Sequence, residues 1–163
     1  MKKSLWVVLF LAVPMFAADE MKKLDWWVGE WSGPASIQMG PGKPQQVQQS
    51  ERVQSKLGGK VLLVEGLGKS GDEVVHQALG VVAFNERTKK YDFNAWTARD
   101  GHVAAWFDVA ESGVASWGFD TPTGAKIRYT IDRTETGAWH EIGEYSADGT
   151  AWRKFFEMTL TKK

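Results

Sequence analysis

The stretch from Trp139 to Leu160 holds the side chains of this 163-residue chain best placed to do chemistry. His140, Glu141, Glu144, Arg153 and Glu157 stand there among Trp, Phe, Tyr and Ile. Asp148-Gly149, between the two halves of the stretch, predicts a two-residue hairpin turn, because Asp-Gly readily adopts the left-handed backbone such a turn needs. In that register Glu144 faces Arg153, Ile142 faces Phe155 and His140 faces Glu157 on one side of the hairpin. The other side pairs Tyr145 with Trp152, Gly143 with Lys154, Glu141 with Phe156 and Trp139 with Met158. A guanidinium inside a protein can clamp the carboxylate of a ligand through its fork of N–H donors. On a wet surface the same Glu144–Arg153 pair would be a cross-strand ion pair worth under about 1 kcal/mol.

The strand before this hairpin indicates which side faces inward. Lys126, Arg128, Thr130 and Asp132 alternate with Ile127, Tyr129 and Ile131, and the apolar set should point to the core. If Thr136-Gly137 is also a two-residue turn, Ile131 faces Ile142 and Tyr129 faces Glu144. The expected interior then holds Ile127, Tyr129, Ile131, His140, Ile142, Glu144, Arg153, Phe155 and Glu157, with Trp31 as a further apolar wall. Arg153 and Tyr129 would meet a ligand's polar head, helped by His140, while Trp31, Ile131, Ile142 and Phe155 would enclose its apolar part. A one-residue bulge at Thr136-Gly137 would exchange every face, because side chains alternate with period two.

Other chemistries find little support. Gly68-Lys69-Ser70 resembles the end of a phosphate-binding loop, but the glycine required five residues earlier is Leu63 and a strand follows in place of a helix. No serine lies in a Gly-x-Ser-x-Gly elbow. His76, His102 and His140 are scattered without metal-ligand spacing. Two neighbouring carboxylates suggest glycoside hydrolysis, yet that needs a sugar-shaped cleft which nothing in the sequence supplies. No catalytic residue, metal or cofactor is assigned, and the expectation is a protein that is not an enzyme.

Residues 1–18 read as a secretory signal peptide: Lys2-Lys3, an apolar run from Leu5 to Val13, and cleavage near Ala17 or Ala18. The expected compartment is the periplasm or the medium. Removing those residues takes away two lysines, leaving 18 basic against 20 acidic residues. So balanced a charge argues against nucleic acid as a partner and gives no reason to expect tight binding to an anionic membrane, and no stable membrane insertion of the mature chain is expected. There is no cysteine, which excludes disulfides, thiolate metal sites and cysteine nucleophiles. The remaining 145 or so residues suit one domain, 19–163, stabilised by its core.

Turn signals recur at Gly58-Gly59, Ser70-Gly71-Asp72, Asn85–Lys89, Asp100-Gly101, Ser112-Gly113, Pro122–Gly124, Thr136-Gly137 and Asp148-Gly149. The segments between them are rich in Val, Ile, Thr and aromatics, as strands are. About ten strands are predicted, at 29–39, 46–57, 60–68, 74–85, 90–99, 102–111, 114–120, 125–134, 138–146 and 150–161. Connections this short forbid crossover helices and favour an all-β, antiparallel up-and-down meander, which closure into a barrel would free of edges. Before the first strand, Met21, Leu24 and Val28 share a helical face, with Asp19 as cap and Gly29 as stop. That short helix would cover one mouth of the barrel. A barrel of ten strands is wide enough to leave a cavity.

Gly29-Glu30-Trp31, at the start of the first strand after a helical turn, resembles the opening of lipocalins. The ten-strand meander is more similar to fatty-acid-binding proteins and nitrobindin-like haem barrels, all of the calycin class. Leu24 to Trp31, Leu57 to Gly66, His76 to Gly80, Trp139 to Glu144 and Phe156 to Leu160 resemble an uncharacterised bacterial domain-of-unknown-function family. That resemblance implies a calycin-like barrel and supplies no activity. The C-terminal histidine that ligates haem in nitrobindin-like barrels has no counterpart in the last strand, and no functional residue is carried over.

Two readings follow. In the first, the barrel binds a small hydrophobic or amphipathic molecule, an acidic one if Arg153 meets its head, with haem as a variant. In the second, tryptophans fill the interior, and outward Trp139, Trp152 and Phe156 contact another protein or a second copy in a homodimer.

Overall fold

The alternating segments form ten antiparallel strands. The computed structural model describes residues 20–38, 40–99 and 101–163. The strands are β1 (Gly29–Ile37), β2 (Gln45–Lys56), β3 (Val61–Ser70), β4 (Glu73–Asn85), β5 (Lys90–Thr97), β6 (Gly101–Val109), β7 (Ala115–Asp120), β8 (Lys126–Arg133), β9 (Trp139–Ser146) and β10 (Arg153–Lys162). Each pairs with its neighbours in sequence, and β10 returns to pair with β1, closing the barrel. Closure gives every strand two partners and removes the exposed edges of an open sheet. The expected fold is the observed one. Strand ends agree within two residues, except that β10 starts at Arg153 and not at 150. The segment 1–18 and the Asp19 cap lie outside the described residues, and no described helix is long and apolar enough to cross a membrane.

The turns set which face of each strand is inward. At the β8–β9 connection Thr134 N donates to Ala138 O and Gly137 N to Thr134 O. This is a three-residue loop ending in a glycine at φ 83°, a left-handed position that a Cβ would disfavour. The β6–β7 and β7–β8 connections repeat the pattern, with Ala110 N to Val114 O and Thr121 N to Ala125 O. Compared with the two-residue turn expected at Thr136-Gly137, the loop holds one more residue, and one residue reverses every side chain beyond it. Ile131 therefore faces Glu141, and Tyr129 faces Gly143. Trp139, Glu141, Gly143 and Tyr145 are the inward set of β9, and the expected inward set His140, Ile142 and Glu144 points out.

The Asp148-Gly149 turn is also longer than expected. Residues 147–152 form the loop, and the Asp148 carboxylate organises it. It accepts from Thr150 N at 2.8 Å, Ala151 N at 3.1 Å, Thr150 Oγ1 at 2.7 Å and Ser146 Oγ at 3.1 Å. Those donors, the Thr150 amide foremost, hold the carboxyl well below the usual range. In the observed register Glu144 faces Lys154, a bulge follows, and Glu157 faces Ile142.

The segment before β1 is not one continuous helix. Residues 20–22 are helical, and Asp25–Trp27 is a 3₁₀ turn. Met21, Leu24 and Trp27 are buried at a spacing of three, whereas the expected Val28 is only partly so. These three close the barrel where β1 begins. Trp27 packs edge-on to Trp139 at 4.9 Å and stacks on Phe107 at 6.4 Å, and Trp31 meets Trp139 edge-on at 6.0 Å. The Trp31 indole N–H donates to Trp27 O at 2.8 Å. Tyr91 clasps the segment by donating its hydroxyl to Glu20 O at 2.9 Å. Tyr91→Phe should lower stability by about 1 kcal/mol, the net worth of one such bond, and speed hydrogen exchange at residues 20–24. Unchanged exchange there would show that packing alone holds the segment.

Candidate functional site

Residues paired across a ladder share a face, so the interior can be followed from strand to strand. At the end plugged by Met21, Leu24 and Trp27 it is filled by Trp31, Leu62, Val82, Phe107, Ile131, Trp139 and Leu160, all buried. Toward the other end, where β1 stops and β10 begins, the inward side chains keep some exposure. Trp117, Phe119, Ile127, Tyr129, Tyr145, Phe155 and Phe156 are only half-buried. Trp117 lies flat on Tyr129, with centroids 4.1 Å apart and planes within 8°. Phe155 and Phe156 both meet Tyr129 edge-on, at 5.7 and 6.0 Å. The bulge in β10 places these two consecutive phenylalanines against one ring.

Between the packed end and this aromatic mouth the interior turns polar. Gln49 and Glu51 project from β2, where Val47 and Val53 on the same face are buried. Glu141 projects from β9 between Trp139 and Gly143. The Gln49 amide donates from Nε2 to Glu51 Oε1 at 2.6 Å. Glu141 accepts the indole N–H of Trp139 at 3.1 Å and that of Trp117 at 3.3 Å, one on each oxygen. Space for these side chains comes from glycine. A Cβ at Gly66 would lie 2.7 Å from Glu51 Oε1, and one at Gly68 would lie 2.7 Å from Gln49 Oε1.

No lysine or arginine among the described residues is buried to neutralise these carboxyls. Burial pushes Glu141 up to about 7, against its two indole donors. Glu51 goes up to about 8, again through burial first. Its bond to Gln49 pulls the other way, and the negative charge of Glu141 adds to the rise. Near neutral pH Glu51 is thus largely a carboxylic acid, able to donate as well as accept, and Glu141 is about half protonated. Neither Gln49 Oε1 nor the Trp27 indole N–H has a hydrogen-bond partner among the described residues, although both are buried.

Of the residues singled out in the sequence, Trp31, Ile131 and Tyr129 face the interior as expected. Phe155 reaches Tyr129 through the bulge. Arg153 pairs with Tyr145 and so keeps the inward parity, but it stands exposed at the rim of the mouth. His140, Ile142, Glu144 and Glu157 are corrected to the outer face. There Glu144 pairs with Arg128 at 2.7 Å, not with Arg153. His140 lies 3.2 Å from Glu157, which also holds Lys154 at 2.5 Å. The Lys154 and His140 contacts, in that order, lower the Glu157 carboxyl below its usual value.

The outward aromatics expected of a protein-contact face are corrected too. Trp139 is 1 % exposed, Phe156 points inward, and Trp152 is covered by the Arg128 guanidinium 3.9 Å from its ring. Reasoning from the sequence missed Glu51, Gln49 and Glu141 as an interior group. The available signal was positional: Val47 and Val53 frame Gln49 and Glu51 at alternate positions, as Trp139 and Tyr145 frame Glu141.

Two surface depressions lie apart from the aromatic mouth. One, of about 650 Å³, is lined by Glu20, Lys89, Tyr91, Trp106 and Asp108. The other, of about 670 Å³, is bordered by Arg52, Glu65, Leu79 and Trp96 and reaches Trp31 and Glu51.

Among solved structures, the crystal structure of Rv2717c from M. tuberculosis matches with a TM-score of 0.60. The match covers 88 % of this chain and 96 % of that one at 13 % identity, a likeness of fold. No curated protein matches by sequence. Residues 17–99, just over half of the chain, match a family model described as "Protein of unknown function (DUF1579)", and the chain belongs to that family.

Proposed function

We propose that this protein is an exported, non-catalytic barrel of calycin-like type that carries a small, partly apolar molecule inside. Entry is from the aromatic mouth opposite the N-terminal plug. The observation that carries this reading is the polar group at mid-barrel. A barrel built only to be a packed scaffold gains nothing from placing two carboxyls and a glutamine in its core, since burying such groups costs free energy. Half-buried rings leading down to that group fit an amphipathic guest, with walls for its body and hydrogen-bonding groups for its head. Export rests on the leader-like segment 1–18.

The filled-barrel reading keeps one observation in its favour, the solid packing of Trp27, Trp31, Trp139 and Phe107 at the plugged end. Native mass spectrometry of protein purified gently from its own periplasm or medium separates the two. Extra mass that is lost on denaturation is the expected result, and a mass matching haem would favour that variant. A bare polypeptide that also takes up no apolar dye in its native state would overturn the carrier reading.

A further inference from the structure

We propose that the interior site takes a protonated amine on an aromatic or apolar body, with Glu51, Glu141 and Gln49 receiving the ammonium group. This rests on the reading of the barrel as a carrier and names the class of its guest. Three observations lead to it. The first is the chemistry at the floor of the site: two carboxyls and an amide oxygen, all potential acceptors for N–H. They converge there, because Glu51 stands in register with Trp31, whose ring meets that of Trp139, and Trp139 in turn holds Glu141.

The second observation is an acceptor without a donor. Gln49 is 2 % exposed; its Nε2 is committed to Glu51, and its Oε1 accepts from no group among the described residues. A buried carbonyl in that position lacks a hydrogen-bond donor. An ammonium group brings three donors and no acceptor.

The third is the setting of charge and rings. From the neighbouring strands Glu51 is faced by Trp31 and Gly66, and Glu141 by Ile131 and Met158, so neither meets a cation across its ladder. The other titratable groups that share the interior face are His76, Tyr91, Tyr129 and Tyr145, with Arg153 at the rim of the mouth and the exposed Arg133 and Lys162 at the plugged end, where the Lys162 ammonium lies 5.2 Å from the Trp31 ring. Arg153 stands on the exposed lip, so a carboxylate guest reaching it would leave the floor acceptors unanswered. Above the floor, the stacked Trp117 and Tyr129 offer aromatic faces that attract a cation and pack against an aromatic body.

Binding has a proton signature. Burial keeps Glu51 largely protonated near neutrality and Glu141 about half so. An ammonium ion entering between them favours the carboxylate form. One carboxyl O–H bond then breaks and its proton passes to the buffer, while the amine keeps its own.

The test is calorimetric titration of the purified protein at pH 7 with 2-phenylethylamine, 2-phenylethanol and 3-phenylpropionate. These share a ring and differ in the head group. The amine is expected to bind about tenfold or more tightly than either relative, as one charge-assisted contact allows. Its heat should depend on the ionisation enthalpy of the buffer, reporting a released proton. Glu51→Gln and Glu141→Gln, each checked for native tryptophan circular dichroism, should weaken amine binding while leaving the alcohol little changed. Trp96→Ala on the outer wall should alter none of the three.

Equal or tighter binding of the alcohol or the acid would overturn the amine class while leaving the carrier reading in place. So would amine binding that releases no proton, a result available from the wild type even if neither variant folds. Failure of all three compounds to bind, together with a bare native mass, would remove both readings.

Discussion

Raising the pH from about 5.5 to about 8.5 is expected to lower the melting temperature of the protein by roughly 10 °C. The cause is the pair of interior carboxyls, Glu141 buried and Glu51 half-buried. Glu141 holds its proton up to about pH 7 and Glu51 up to about 8 in the folded state, against about 4.5 for an ordinary glutamate. Between the ordinary and the raised values the folded chain binds protons that the unfolded chain has released. Stability therefore falls as pH rises through that window. Each unit of displacement corresponds to about 1.4 kcal/mol, so the part of the Glu141 displacement that lies above pH 5.5 accounts for a loss of about 2 kcal/mol, and Glu51 adds to it.

Thermal melts across this range check the expectation, and Glu141→Gln should flatten the slope. The neutral amide resembles the protonated acid but offers only one acceptor oxygen to two indoles, so the variant starts somewhat less stable at low pH. A wild-type melting temperature that stays level or rises between pH 5.5 and 8.5 would show that water or a counter-charge reaches these carboxyls.

Trp139→Ala should cost about 3–5 kcal/mol, the usual range for removing a large aromatic from a tight core. Trp139 is 1 % exposed and its ring meets both Trp27 and Trp31, so its loss opens a cavity beneath the plug. It also removes an N–H donor from Glu141. Trp139→Phe separates the two effects. It keeps most of the packing and loses the donor, so it should cost less than the alanine variant and raise the Glu141 carboxyl further. Chemical denaturation gives the first quantity, and the pH dependence of stability gives the second. Equal losses for the two variants would assign the effect to the hydrogen bond and not to packing.

The sequence by itself determined the architecture. Alternation of apolar and polar residues, Gly- and Asp-rich turns at near-regular intervals, and connections too short for helices are local properties, and together they specify ten antiparallel strands in meander order. Trp31, Tyr129 and Ile131 were legible as interior residues for the same reason, since each sits in a segment with strong alternation. Only the tertiary structure decided which charges lie inside. That choice hangs on single residues: the third residue of the Thr134–Ala138 loop, the six-residue loop around Asp148, and the bulge at Phe155.

Side chains alternate with period two, so each added residue exchanges the two faces of everything beyond it. His140, Glu144 and Glu157 went to solvent in this way, and Glu141 went to the core. Glu51 and Gln49 were hidden for a different reason. They lie on a strand rich in polar residues, where Val47 and Val53 are the one local mark of the inward face and the closing of β1 and β3 around it is what encloses the polar pair. Local pattern carries the strands, whereas the parity of the loops and the closure of the barrel carry the site.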